Sequence, residues 1–139
     1  MKKKVMFGGV ILSIMLFAAM QFVFASDSWT DARTYELDNK DDVYKTTTTA
    51  GTKLGQNKTS DSTSFQEYTV TRSMWSKPEF KLVNSSNATR SNSVNTADNG
   101  RYVTGGGNVG TIGYALYGAV KPDWSQTSPG TIKLQMKVF

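Results

Sequence analysis

The side chains that could perform chemistry in this chain are limited by two absences. Its 139 residues contain no histidine and no cysteine. A Ser-His-Asp triad, a thiol nucleophile, and a zinc or haem site built on these residues are therefore excluded. Carboxylates, lysines and tyrosines remain as candidates.

Paired carboxylates come first, because a glycoside hydrolase places two of them across a cleft. Glu67 and Glu79 lie on neighbouring predicted strands, and Glu36 or Asp123 could join them. Nothing in the spacing marks a catalytic pair, and charged residues on strands usually face solvent. We therefore predict no catalytic residue, and a carboxylate-based glycan hydrolase is the last of our hypotheses.

Two loop segments have compositions that suggest a bound ion. Residues 38–42 are rich in oxygen ligands but lack the glycine and the glutamate that an EF-hand needs at fixed positions. We interpret them as an Asx-rich turn, with a looser calcium site left open. Residues 105–110 are glycine-rich, yet they lack the lysine of a phosphate loop and no helix pattern follows. The sequence predicts neither a cofactor nor a metal.

Aromatic residues near turns are the candidate binding residues. Exposed aromatics on loops can stack on sugars or enter membrane interfaces, and tryptophan is frequent in binding hot spots. The alternative is that they cap the ends of a thin core. Trp124, within Pro-Asp-Trp-Ser, is expected to be the most exposed of them. The candidates are Trp29, Trp75, Trp124 and Tyr117.

The N-terminal segment has the pattern of a secretory signal peptide. Three lysines precede an apolar run over residues 5–24, and Val23-Phe24-Ala25 supplies small residues for cleavage after Ala25. The alternative is an uncleaved membrane anchor over residues 5–25. The predicted domains are therefore a signal peptide, 1–25, and a single secreted β domain, 26–139. Loss of the three lysines lowers the formal net charge from +5 to +2, which leaves a nucleic-acid partner without electrostatic support.

Alternating apolar residues predict strands in the remainder. Residues 112–139 are expected to form a C-terminal hairpin, whose last strand turns residues 132, 134, 136 and 138 inward. Asp98-Asn-Gly100 predicts a second hairpin. Further strands are expected over 32–37, 43–49, 64–76 and 79–84. The 64–76 strand has apolar residues on both parities, which indicates a bulge or two covered faces, and residues 51–63 are expected to be a mobile loop.

Seven to eight strands with regularly spaced turns predict an all-β fold. The expected architecture is an antiparallel β-sandwich or small barrel that follows an N-terminal signal peptide helix. Without cysteine, its core and its hydrogen-bonded ladders must hold it together.

The layout resembles small exported proteins of Gram-positive bacteria whose function is uncharacterised, some of which accompany bacteriocin or ABC-exporter genes. The lysine-led apolar head, the cysteine-free β-rich body, and the 105–130 segment with Tyr114, Tyr117 and Trp124 support this resemblance. We hypothesise a secreted non-enzymatic binding or interaction protein that acts at the cell envelope or extracellularly. Its candidate partners are a cell-wall glycan, a membrane surface or another envelope protein; the alternative is a bacteriocin-like secreted toxin.

Overall fold

The computed structural model describes residues 28–39, 41–108 and 110–139. In these ranges all regular structure is β, and no helix is long and apolar enough to cross a membrane. The predicted signal peptide lies outside the described residues. The strands are β1 Arg33–Leu37, β2 Gly55–Asn57, β3 Phe65–Arg72, β4 Glu79–Val83, β5 Val94–Asn95, β6 Arg101–Gly105, β7 Ala115–Lys121 and β8 Gly130–Val138.

These eight strands form two four-stranded antiparallel sheets packed face to face. Sheet I has the order β1-β8-β3-β6, and sheet II has the order β2-β7-β4-β5. The predicted all-β antiparallel sandwich is thereby confirmed. Tyr35 of sheet I ties the layers together, because its hydroxyl donates a 2.9 Å hydrogen bond to the Gly118 carbonyl of sheet II.

The core lies between the sheets and follows the predicted alternation of β8. Ile132, Leu134, Met136 and Val138 are all at most 1% exposed. Opposite them, β4 and β7 contribute Phe80, Leu82, Leu116 and Val120, each with no exposure. β8 is a central strand of sheet I, since it pairs with β1 on one side and with β3 on the other.

Both predicted hairpins are wrong in their pairing. β7 pairs with β2 and β4, whereas β8 pairs with β1 and β3, so residues 122–129 cross from one sheet to the other. Ile112, expected to face the core, lies outside β7 and is 61% exposed. The Asp98-Asn-Gly100 turn does form, with Gly100 at φ 72° and the Arg101 N–H bonded to the Asp98 carbonyl at 3.0 Å. However, its flanking strands also belong to different sheets. A local turn pattern specifies a reversal of the chain, but it does not specify the partner strand.

Two segments between β1 and β3 differ from expectation. Residues 43–49 do not form a strand; they make only isolated bridges, Lys45 with Val120 and Thr47 with Lys53. The predicted loop 51–63 instead contains β2, which follows the buried Leu54. Burial of this one leucine explains why so polar a segment is held against the sandwich. Of the two alternatives for the 64–76 strand, the bulge is present in β3, between Thr69 and Thr71.

The strand directions give the sandwich two distinct ends. β1 ends opposite Gly130 and β3 ends opposite Ile132, while β4 begins opposite Lys121. The connections 38–44, 73–78, 96–100 and 122–129 therefore gather at one end, here called the loop pole. The opposite end, the terminal pole, holds the connections 58–64, 84–93 and 106–114 together with Phe139.

Candidate binding surfaces

Two tryptophans project from the loop pole. The exposed fractions of Trp75 and Trp124 are 63% and 94%. Their loops are joined through buried side chains, because the Ser76 hydroxyl donates to Gln126 Oε1 at 2.5 Å and the Ser76 N–H donates to the same oxygen at 3.3 Å. The structure thus brings two of the predicted binding residues to one end of the molecule.

The loop that bears Trp124 is fixed from within. The Ser125 N–H and hydroxyl both donate to Asp123 Oδ1, and the Gln126 N–H donates to the Asp123 carbonyl at 2.9 Å. The hydrogen bonds from Ser125 also lower the pKa of the Asp123 carboxyl. Trp124 is therefore exposed on a loop whose backbone is held by hydrogen bonds.

A cleft of about 150 Å³ lies beside Trp124 at the loop pole. Val43, 74% exposed, belongs to the same pole and adds a further apolar side chain. The loop pole therefore presents exposed apolar side chains next to the polar groups that line the cleft. The cleft is lined by Asn39, Asp41, Asp42, Lys121, Pro122, Asp123 and Trp124.

Residues 38–42, where the sequence left a calcium site open, make contacts within the protein. The Asp41 carboxylate accepts the Asp38 N–H at 2.9 Å and lies 3.5 Å from Lys45 Nζ. Among the described residues, which omit Lys40, no group of three or more acidic side chains is arranged to hold a metal ion. The Asp41 N–H also donates to the Asp38 carbonyl at 3.0 Å, so a hydrogen-bonded turn joins Asp38 to Asp41.

The third tryptophan lies away from the loop pole, on the outer face of sheet I. The ring centroid of Trp29 is 5.6 Å from that of Tyr68 and 6.3 Å from that of Tyr102. Tyr68 and Tyr102 are direct cross-strand partners on β3 and β6. We call these three residues the aromatic strip. Sequence reasoning missed both tyrosines because the β3–β6 register, which pairs them, is not encoded locally.

Hydrogen bonds on both sides of Trp29 hold the aromatic strip in place. The Thr30 N–H donates to the Met136 carbonyl at 3.0 Å, and the Met136 N–H donates to the Thr30 hydroxyl at 2.9 Å. Gln56 Nε2 donates to the Ser28 carbonyl at 2.8 Å. The segment thus continues along the edge of β8, and Trp29 is oriented by the sheet itself.

Tyr117, the fourth predicted binding residue, is half-buried on the outer face of sheet II. Its ring lies against Gly55, where an added Cβ would come within 2.7 Å of it, and Lys53 Nζ lies 5.3 Å from the ring centroid. These contacts attach β2 to β7. The structure does not bring Tyr117 together with the tryptophans.

The candidate carboxylates occupy different layers. Glu67 faces the interior of sheet I with no exposure, and its carboxylate accepts the Thr69 hydroxyl at 2.7 Å and the Ala97 N–H at 2.9 Å. Glu79 lies on the outer face of sheet II, where it accepts the Tyr44 hydroxyl at 2.5 Å. Burial and this bond raise the pKa of Tyr44 to about 12. Glu67 and Glu79 do not face a common cleft.

Comparison of the chain with protein-family models, with curated proteins and with solved structures gives no match in any of the three.

Proposed function

We propose that this chain is a secreted, non-enzymatic binding protein that acts at the cell envelope or outside the cell, with the loop pole as its contact surface. The observation that supports this most is the exposure of Trp75 and Trp124 on loops that are themselves tied together. Large apolar side chains held in water on a rigid scaffold are typical of binding surfaces.

The mode of binding follows from the properties of indole. Trp124 can bury nearly its whole side chain in a partner, because only a small part of it contacts this protein. The ordered loop limits the conformational entropy lost on association. A cell-wall glycan, a membrane surface or an envelope protein can each accept such a group, since indole is apolar over its faces and donates one hydrogen bond at its edge.

The separation of Glu67 from Glu79 supports the non-enzymatic part of the proposal. A glycoside hydrolase needs its two carboxyl groups within about 5–10 Å across a cleft that admits the sugar. Here the Glu67 carboxyl has no solvent exposure, and the Glu79 carboxyl lies on the other sheet and accepts the hydroxyl of Tyr44.

The test is retention of the protein by purified envelope components. Full-length chain is expressed in a secreting host, recovered from the medium or from the fraction that retains it, and mixed with isolated Gram-positive cell walls or with phosphatidylglycerol vesicles. The double variant Trp75→Ala/Trp124→Ala should weaken retention at least tenfold, about 1.4 kcal/mol or more, because hot-spot tryptophans contribute about 2 kcal/mol each.

Ile112→Ala is the matched control, since Ile112 is 61% exposed on the connection between β6 and β7 at the terminal pole. It should retain wild-type binding, and all variants should keep the wild-type melting temperature. Equal retention of the double variant and the wild type, or no retention of the wild type by either material, would contradict the proposal.

A further inference from the structure

The outer face of sheet I has an unusual set of side chains. On three adjacent strands, β6, β3 and β8, the residues that alternate away from the core are aromatic, amide, hydroxyl or lysine, apart from Val70 before the bulge. No carboxylate is among the outward residues of these three described strands. Those that matter below are Tyr102 and Thr104 on β6, Gln66 and Tyr68 on β3, and Lys133, Gln135 and Lys137 on β8.

The register places part of this set in one row across the sheet. Tyr68 is paired with Tyr102 on one side and with Gln135 on the other. Adjacent strands are about 4.8 Å apart, so the row from Tyr102 to Gln135 spans about 10 Å. The Trp29 ring lies beside both tyrosines, so the three rings form one aromatic cluster next to the Gln135 amide.

The aromatic strip is preorganised and partly open to solvent. Tyr102 is 60% exposed, whereas Trp29 is half-buried and held by the hydrogen bonds of its neighbours. Gln135 Nε2 joins this network by donating to the Thr30 carbonyl at 2.7 Å. The Trp29 ring is inclined by 57° to Tyr68 and by 52° to Tyr102, so the strip is an angled aromatic surface. Aromatic rings with polar groups at fixed positions beside them are suited to the apolar ring faces and hydroxyls of a sugar.

The outward charges of β6, β3 and β8 are of one sign, and the outward carboxylate of the edge strand β1, Glu36, lies opposite Thr131. Lys133 and Lys137 lie two residues before and two residues after Gln135 on β8, so they stand on either side of the row. Along a strand their Cα atoms are about 13 Å apart. Lys133 and Lys137 together outweigh Glu36 among the outward charges of the four strands, so the local field favours a ligand with several negative charges over a neutral one.

We propose that this face is a binding site for an anionic glycan, in which sugar rings stack across Tyr102, Trp29 and Tyr68 while Lys133 and Lys137 pair with carboxylate or phosphate groups along the polymer. The site is separate from the loop pole and does not depend on the tryptophans there. A lipid surface fits this face less well, because the rings lie on a sheet and not on projecting loops.

The experiment measures binding of the full chain, prepared as above, to polygalacturonate, to a glycerol-phosphate teichoic acid, and to neutral amylose, by calorimetry at low and at physiological salt. At least one anionic polymer should bind at least tenfold more tightly than amylose. Binding should weaken as salt is raised, since exposed charge pairs are screened. The carboxylated and phosphorylated arms identify which anion is preferred.

Two variants separate stacking from charge. Tyr102→Ala should weaken binding at least fivefold without a change in melting temperature, because the ring is mostly exposed. Lys133→Gln/Lys137→Gln should weaken it at least tenfold and remove most of the salt dependence. Lys81→Gln/Lys121→Gln, which removes the same charge from the outer face of sheet II, is the matched control and should bind as the wild type does.

Trp75→Ala/Trp124→Ala should also bind the anionic glycan normally, so failure of the loop-pole proposal and failure of this one are distinguishable. The inference is overturned if neither anionic polymer binds, if amylose binds as tightly, or if the face variants bind normally. It is also overturned if oligo(dT) or phosphatidylglycerol vesicles bind at this face and the anionic glycans do not.

Discussion

The carboxyl group of Glu67, on β3 of sheet I, is buried between the two sheets. The β-bulge between Thr69 and Thr71 shifts the register so that Arg72 lies opposite Ile132, on the inward side of the strand. The charge of Arg72 and the two hydrogen bonds to Glu67 favour its ionised form, but desolvation by burial outweighs them and raises the pKa of Glu67. The Glu67 carboxyl therefore resists ionisation.

The first prediction concerns the pH dependence of stability. Because the folded pKa of Glu67 lies above its unfolded value, its contribution is present in full at acid pH, below about 4.5, and is lost as pH rises through the folded pKa. Glu67→Gln resembles the protonated group and does not titrate. The variant should therefore gain stability relative to the wild type as pH rises from about 4.5 towards neutral.

Urea unfolding of both proteins between pH 4 and pH 7.5 measures this difference. Glu36→Gln, at an exposed position on β1 of the same sheet, is the control. A difference between Glu67→Gln and the wild type that is constant across this range would contradict the prediction.

At the scale of elements, β6 joins sheet I through a close contact. Gly105 is paired with Phe65 of β3, and the ring of Phe65 lies where a side chain at Gly105 would stand. Phe65 in turn packs on Phe80 of sheet II, with ring centroids 5.9 Å apart. Glycine at this position therefore allows the two layers to close.

The second prediction compares adjacent glycines of the same run. In Gly105→Ala the new Cβ would lie 2.2 Å from Phe65 Cζ, so the ring and the core behind it must shift, at a cost of about 1–3 kcal/mol in the free energy of unfolding. Gly106→Ala meets nothing within 4 Å and should change stability by less than about 0.5 kcal/mol. Denaturant unfolding of both variants checks this, and equal stabilities would show that Phe65 moves freely.

The elements also show what the sequence could predict. The alternation of residues 132–138 identified β8 and its inner face, because a two-residue period with one apolar side is a local property. Apolar residues on both parities indicated a bulge or two covered faces in the 64–76 strand, and of these the bulge is present in β3. Pairing depends on contacts between distant segments, so Asp98-Asn-Gly100 predicted a hairpin where the chain crosses between sheets. The aromatic strip escaped prediction because Trp29, Tyr68 and Tyr102 meet only once three segments are in register.

At the scale of the molecule, the two ends of the described chain meet at one side chain. Gln56 donates to the Ser28 carbonyl at 2.8 Å and accepts the Val138 N–H at 2.7 Å. The first and last segments are therefore neighbours in space although they are far apart in sequence. Folds with adjacent ends tolerate relocation of their termini.

The third prediction is a circular permutant of residues 28–139. A short glycine-serine linker joins the old ends, and new ends are opened between Ser85 and Ser86, both exposed in the β4–β5 connection. We expect cooperative unfolding and wild-type β circular dichroism. Opening the chain between Lys133 and Leu134 instead should abolish the fold, because it divides the strand that pairs with both β1 and β3.

Because Ser28 lies near Val138, the start of the described chain is at the end of β8 that is far from the loop pole. β8 extends from Gly130 near the loop pole to Val138, and nine residues of strand cover about 30 Å. A protein held to a cell through the segment that precedes Ser28 would thus present Trp75 and Trp124 about 30 Å beyond its point of attachment. The tryptophans would then reach outward to a neighbouring surface and not back to the supporting one. Release of the chain by cleavage would remove that bias and leave both poles equally accessible.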